Sequence, residues 1–180
     1  MTRYKESDLI RTPRWCVERL LEFEEFPPDS LILEPCCGDG AIAKVLEERG
    51  FKVRAIDRYN HGYGEVKDLF EETERYDFII TNPPFTRQQA VKRHLIKLAR
   101  KRLILLWYLK NLGQELETWT GRFLSRVYIL GKIDWKEVGL GWFFAWYVWD
   151  LENESNEVLI RDLRGHNRQP NLSEFTSGKR

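Results

Sequence analysis

Apolar positions recur along this chain in short blocks whose spacing changes from helical to extended and back. Trp15, Val17, Leu20, Leu21 and Phe23 fall at near-helical intervals. Thr12-Pro13 offers an N-cap and a first-turn proline, and Pro27-Pro28 a stop, so the spacing predicts a helix between them. Ser30 to Leu33 is an apolar run of strand length that leads into Glu34-Pro35-Cys36-Cys37-Gly38-Asp39-Gly40. Ile42, Val45 and Leu46 then mark one helix face, with Gly50 as a C-terminal stop. Phe51 to Ile56 alternates as a strand and ends at Asp57, and Tyr76 to Thr81 is a further apolar strand ending at Asn82-Pro83-Pro84-Phe85. Val91, Leu95, Leu98 and Ala99 outline the next helix, and Arg102 to Leu109 the next strand.

Strand and helix alternating through short loops predict an α/β domain, a doubly wound and mostly parallel sheet with helices on both faces. The aromatic runs Arg126–Trp135 and Trp142–Trp149 differ, because the linker between them is too short for a crossover helix. They predict an antiparallel pair closing one sheet edge. No internal repeat interrupts this order. Residues 1–168 are expected to form a single domain and 169–180 a polar tail.

Composition narrows the picture. The chain has 180 residues and 42% hydrophobic content, enough for one substantial core. A formal net charge of +1 means that any basic surface must be local. Such a stretch exists: Thr86 to Arg102 carries seven Lys or Arg and no Asp or Glu. Along the predicted helix, Arg87, Lys92 and Arg93 are candidates for phosphate contacts, and a solvated helix face explains them equally well. The three cysteines have neither disulfide-framework nor zinc spacing, which implies a reducing, cytoplasmic setting and no metal. His61, His94 and His166 form no triad or metal pattern and read as surface groups. With no apolar run of about 18 residues, a soluble protein without a membrane partner is expected.

The chemistry lies where strands end. Gly38 and Gly40 follow the first strand and open a helix, a turn that lets backbone N–H groups approach a ligand. Asp57, ending the next strand, lies where a carboxylate can accept from both hydroxyls of a ribose. Together they point to an adenosine-containing cofactor. Gly38-x-Gly40-x-x-Ala43 also satisfies the loose dinucleotide fingerprint of hydride-transfer enzymes, and a plain glycine turn explains Gly38 and Gly40 but not Asp57. Asn82-Pro83-Pro84-Phe85 separates these readings. Its prolines fix an extended corner that can hold carbonyl groups outward, so Asn82 and Pro83 can accept from a planar NH₂ while Phe85 offers a stacking face. Asn-Pro alone is also a common turn.

These segments resemble the amino-methyltransferases of the class I, Rossmann-like, S-adenosylmethionine-dependent type over roughly residues 4–150. Glu34-Pro35-Cys36-Cys37-Gly38-Asp39-Gly40 resembles motif I, Asp57 the acidic motif II position, and Asp68-Leu69-Phe70 the motif III position that meets the cofactor adenine. Asn82 to Phe85 resembles motif IV, and Thr12-Pro13 with its helix resembles motif X. The closing segment Arg126–Asp150 is similar to small phage and prophage DNA N6-adenine methyltransferases.

The resemblance implies S-adenosylmethionine bound by Thr12, Pro13, Glu34, Pro35, Cys36, Gly38, Gly40, Asp57, Asp68, Leu69 and Asn82. It implies catalysis by Asn82, Pro83, Pro84 and Phe85 on the exocyclic amine of adenine in DNA. RNA adenine, a protein glutamine amide, or a binding module without activity are the alternatives. Phe85 stands where Tyr is commoner in the DNA enzymes. Only about sixteen residues (111–126) separate two late strands, too few for a target-recognition domain, so a partner supplying sequence specificity fits this chain. Trp135, Trp142, Trp146 and Trp149, at near-alternate spacing, suit core packing better than base stacking.

Overall fold

The computed structural model describes residues 9–133, 135 and 142–164. The expected tail at 169–180 and His166 lie outside them. Four helices, α1 (Arg14–Leu21), α2 (Ala43–Glu48), α3 (Gln88–Leu98) and α4 (Leu112–Leu116), accompany eight strands among the described residues. The strands are β1 (Leu31–Glu34), β2 (Lys52–Asp57), β3 (Glu65–Val66), β4 (Tyr76–Thr81), β5 (Ala99–Tyr108), β6 (Leu124–Lys132), β7 (Phe143–Asp150) and β8 (Leu159–Asp162).

They form one mixed sheet of order β3-β2-β1-β4-β5-β7-β6-β8. Neighbours from β3 to β5 pair in parallel, β7 runs antiparallel to both β5 and β6, and β8 pairs in parallel with β6. This is the expected doubly wound α/β architecture.

Side chains alternate across the pleat, so β1, β2 and β4 to β7 feed two cores. Ile32, Phe78, Ile80, Ile104, Leu106 and Trp146 join Val17 and Leu20 of α1 and Val45 and Leu46 of α2 on one face. Leu33, Ile79, Leu103, Leu105, Trp107 and Trp149 join Val91 and Leu95 of α3 on the other. Both cores need cover because buried parallel strands expose apolar side chains on either side.

Four expectations need correction. Thr12 does not cap α1: Pro13 occupies the cap position with ψ 137°, no side chain bonds the helix start, and α1 ends at Leu21. The pair β6–β7 does not close the sheet, because β8 adds beyond β6; all four β8 residues are exposed, so no periodic apolar signal announces the strand. Ala99 begins β5 instead of ending α3. Trp142 is 44% exposed, whereas Trp146 and Trp149 are fully buried.

One polar cluster ties the first core together. Glu24, 3% exposed, accepts from Arg102 Nη1 at 2.9 Å, from Arg126 Nε at 2.5 Å and from the Tyr128 hydroxyl at 2.6 Å. The segment after α1 is thereby fastened to β5 and β6, with the carboxylate's charge matched by two guanidinium groups.

Candidate functional site at the carboxyl ends of the strands

Strands β1, β2 and β4 end side by side, and the segments following them line one cleft. Of the residues expected at a site, Thr12, Glu34, Pro35, Cys36, Gly38, Asp57, Asp68, Leu69 and Asn82 to Phe85 line it, as does Arg87. The sequence distances between them close because parallel strands bring every carboxyl end to the same sheet edge.

The β1 loop is built around two left-handed glycines. Gly38 has φ 53° and Gly40 φ 83°. A Cβ on Gly38 would stand 2.6 Å from Leu9, and one on Gly40 2.6 Å from the Tyr63 ring. Gly38 therefore lets the chain before α1 close over the loop. Gly40, like Pro13, is not among the cleft-lining residues, and its missing side chain leaves space for the Tyr63 ring.

Asp57 holds this loop from the neighbouring strand. Its Oδ2 accepts the Gly38 amide at 2.8 Å and its Oδ1 the Tyr59 amide at 2.8 Å. Each carboxylate oxygen keeps a second lone pair. Glu34, 1% exposed, accepts the Ala43 amide at 2.7 Å, satisfying a donor at the start of α2. Burial raises the Glu34 carboxyl well above the ordinary carboxylate range, with Asp57 and Asp39 acting in the same sense against the Ala43 bond. Burial likewise raises the thiols of Cys36 and Cys37, the latter to about 12, with Glu34 and Asp57 adding to the effect. These are protonated thiols, suited to packing and not to nucleophilic work.

Asp68 accepts the Phe70 amide at 3.0 Å and so caps a short 3-10 turn at Leu69–Glu71, which sets Leu69 and Phe70 in the cleft wall. Arg87 lies over the Phe70 ring at 4.9 Å. On the β4 side, the Oδ1 atom of Asn82 is buried without a hydrogen-bond partner among the described residues. Phe85 is half-buried, its ring 4.9 Å from Tyr108 and 5.6 Å from both Trp135 and Phe144.

The basic helix is not one surface. Lys92 is 1% exposed; its Nζ donates to Glu115 Oε1 at 2.6 Å and to Thr120 at 2.9 Å, between the rings of Trp107 and Trp149. Lys92 is therefore withdrawn as a nucleic-acid contact: it sits on the buried stripe with Gln88 and Ile96 at i−4 and i+4. Arg93 is exposed but does not line the cleft. The histidines also differ from expectation, since His61 lines the cleft and His94 Nε2 lies 3.1 Å from the Glu72 carbonyl.

Sequence reading missed Leu9, Ile10, Arg11, Arg58, Tyr59 and His61, all cleft-lining. Arg11 bonds Asp39 across the cleft mouth. Tyr59 and His61 follow Asp57 directly, and their nearness to that strand end was the available signal.

No family model matches the chain, and no curated protein matches it in sequence. Solved structures do. A modification subunit assigned to a type I restriction enzyme of Vibrio vulnificus aligns with TM-score 0.66 and 15% identity, over 91% of this chain and 49% of that one. A protein of Listeria monocytogenes assigned as a class I S-adenosylmethionine-dependent methyltransferase aligns with TM-score 0.57 and 11% identity, over 90% of this chain and 66% of that one. A dimethyladenosine transferase of Plasmodium falciparum aligns with TM-score 0.57 and 13% identity, over 81% and 64%. The chain thus spans about half the length of the Vibrio subunit and just under two thirds of the other two. Strand order, the reversed β7 and the cleft at the carboxyl ends together give this chain the Rossmann-like fold of the class I methyltransferases.

Proposed function

We propose that this chain transfers a methyl group from S-adenosylmethionine to the exocyclic amine of adenine in DNA. The observation that carries the reading is the buried, unpartnered Oδ1 of Asn82 at the β4 end of the cleft that Asp57 and the Gly38 turn line. A buried acceptor without a donor costs about 1–3 kcal/mol, so its retention favours a ligand that donates an N–H there.

The residues present fit the cofactor. Asp57 keeps lone pairs for ribose hydroxyls, Leu69 and Phe70 give apolar walls for a flat base, and Gly38 removes the Cβ beside which the methionine part would lie. Bound there, S-adenosylmethionine would supply a methyl group made electrophilic by its sulfonium. The chain's own task is to prepare the acceptor. The adenine amine is a poor nucleophile because its lone pair is delocalised into the ring. Asn82 Oδ1 and the Pro83 carbonyl, each accepting one N–H, draw the nitrogen towards tetrahedral geometry and localise that pair. Phe85 stacks on the base and Pro84 keeps the corner rigid. With the donor held beside Asp57, Leu69 and Phe70, its methyl group would pass to the amine nitrogen so prepared, and the surplus proton would then be lost to water. Protonated Cys36 and Cys37 take no covalent part.

DNA is favoured by the similarity to a restriction-enzyme modification subunit, whose extra length suggests that a partner or further polypeptide supplies sequence specificity. Adenine in RNA is the second reading, favoured by the similarity to a dimethyladenosine transferase. Incubation with labelled S-adenosylmethionine and, in parallel, duplex DNA, single-stranded DNA, RNA and protein extract tests both. N6-methyladenine in a DNA digest is the expected product; label confined to RNA would establish the second reading, and label confined to protein would overturn both.

A further inference from the structure

Beside Phe85 the sheet end carries aromatic rings and cations that the proposed methyl transfer does not use. The Tyr108 ring lies 4.9 Å from Phe85 and 6.3 Å from Trp142. Lys110 Nζ stands 4.1 Å from the centre of the Trp142 ring and 5.0 Å from that of Tyr108. One strand further, Lys132 Nζ lies 6.0 Å from the Phe143 ring. Trp142 and Phe143 are 44% and 43% exposed. Register fixes the arrangement, because Tyr108 pairs with Phe144 and Phe143 with Lys132, bringing the end of β5, the start of β7 and the end of β6 to one rim. No carboxylate occurs at 108–111, 131–133 or 142–144.

Two large aromatic side chains left open to water, each with an ammonium over its ring, suit a ligand that alternates flat faces with negative charge. A duplex offers its bases stacked and paired, so their faces are closed to such a rim. From these observations, and resting on the reading of nucleic acid as substrate, we infer that Trp142 and Lys110 grip the nucleotide next to the target in a single-stranded or locally unpaired chain. Trp142 stacks on its base and Lys110 neutralises its phosphate. An open groove bordered by Phe85 and lined by Thr86 to Ala90, Trp107, Asn111 and Gln114, free of carboxylates, offers a path for the strand to continue. Stacking does not read base identity, so this grip supplies affinity and position without a recognition sequence.

The test is fluorescence anisotropy with labelled 20-nucleotide single-stranded DNA, its RNA counterpart and the corresponding duplex. The full-length protein is used in the presence of S-adenosylhomocysteine. The unmodified protein is expected to bind a single strand at least tenfold more tightly than the duplex. Trp142→Ala should weaken single-strand binding about tenfold and Trp142→Phe much less. Lys110→Ala should lower the slope of log affinity against log salt by about 0.7, the value for one phosphate of a single strand. Calorimetry with S-adenosylhomocysteine, run on each variant, should give unchanged heats, because neither residue lines the cofactor cleft. Tighter duplex binding, or unaltered single-strand binding by both Ala variants, would overturn the inference. A protein that binds S-adenosylhomocysteine but no oligonucleotide would overturn it too while sparing the cofactor reading; loss of both would end the proposed function itself.

Discussion

Asp57 accepts the Gly38 amide at 2.8 Å, so the residue expected to hold a ribose also fastens the glycine turn that opens on the same cleft. The proposed binding residue and the loop staple are one carboxylate. Its second oxygen holds the Tyr59 amide at 2.8 Å, which fixes the start of the segment that leads to His61. A ligand reaching Asp57 therefore meets an acceptor whose orientation two backbone donors have already set, and little ordering remains for binding to impose.

Asp57→Ala should abolish S-adenosylhomocysteine binding and lower the melting temperature. Two hydrogen bonds to a charged group, at roughly 1.5–3 kcal/mol each, disappear with the carboxylate. For a chain of this size the melting point should fall by roughly 5 °C or more. Asp57→Asn should lie between, since a carboxamide can accept one backbone N–H but turns a donor towards the other. Calorimetry and a thermal scan on the same samples check both effects. An Ala variant that melts as the unmodified protein does would remove the stapling role.

Asn82→Ala should leave S-adenosylhomocysteine affinity within about twofold and lower turnover by about 10²–10³, the usual cost of one oriented polar group at a reacting centre. Stability should hold or rise slightly, because the deleted Oδ1 is already buried without a partner. The pair of variants is informative together. If Asn82→Ala and Asp57→Ala lost the cofactor to the same degree, the division between a binding rim and an amine-orienting rim would be wrong.

The parallel half of the sheet was legible because its strands are short apolar runs that end in the residues of the cleft, as at Glu34, Asp57 and Asn82. Residues whose partners are remote were not. Glu24 reads as one acid among several after α1, and its partners Arg102, Arg126 and Tyr128 lie 78 to 104 positions away. Leu9 to Arg11 join the cleft from a segment remote in sequence, and Leu9 packs where a side chain on Gly38 would stand. β8 offers only the three-residue apolar run Val158-Leu159-Ile160, too short to read as a strand and with Leu159 and Ile160 in the open. Lys92 left one usable signal, its place between Gln88 and Ile96 on a stripe next to Leu95, but Glu115 could be joined to it only in three dimensions.

Lys92→Ala should destabilise the fold by about 3–5 kcal/mol, because removing one partner of a buried pair leaves the Glu115 charge uncompensated. Arg93→Ala, on the exposed side of α3, should stay within about 0.5 kcal/mol. Burial lowers the Lys92 ammonium below its ordinary range, with Arg93 acting in the same sense and Glu115 opposing. Urea unfolding of the two variants separates a structural lysine from a surface one. An equal and small effect from both would return Lys92 to the surface cluster.

The cleft's buried acids give stability a pH dependence that can be assigned. Cys37 is raised from 9.0 to about 12, chiefly by burial and then by Glu34 and Asp57. Above pH 9 the unfolded chain releases this proton while the folded one keeps it, so folding stability declines between about pH 9 and 12. Glu34 acts with the same sign at lower pH: its folded-state value is also raised, so its contribution is full in acid and fades as pH climbs through 4.5 towards the higher folded value. Glu34→Gln keeps an oxygen for the Ala43 amide and cannot ionise. It should therefore remove one proton's share of the slope above pH 4.5, and Cys37→Ala one proton's share of the slope above pH 9, where Cys16 and Cys36, also raised by burial, keep the rest. Urea midpoints at half-unit pH intervals, for the unmodified protein and both variants, resolve the two windows separately. A Glu34→Gln profile parallel to the unmodified one between pH 5 and 8 would mean that Glu34 ionises inside the fold as readily as outside it, and the cleft would then hold a carboxylate where burial calls for a neutral acid.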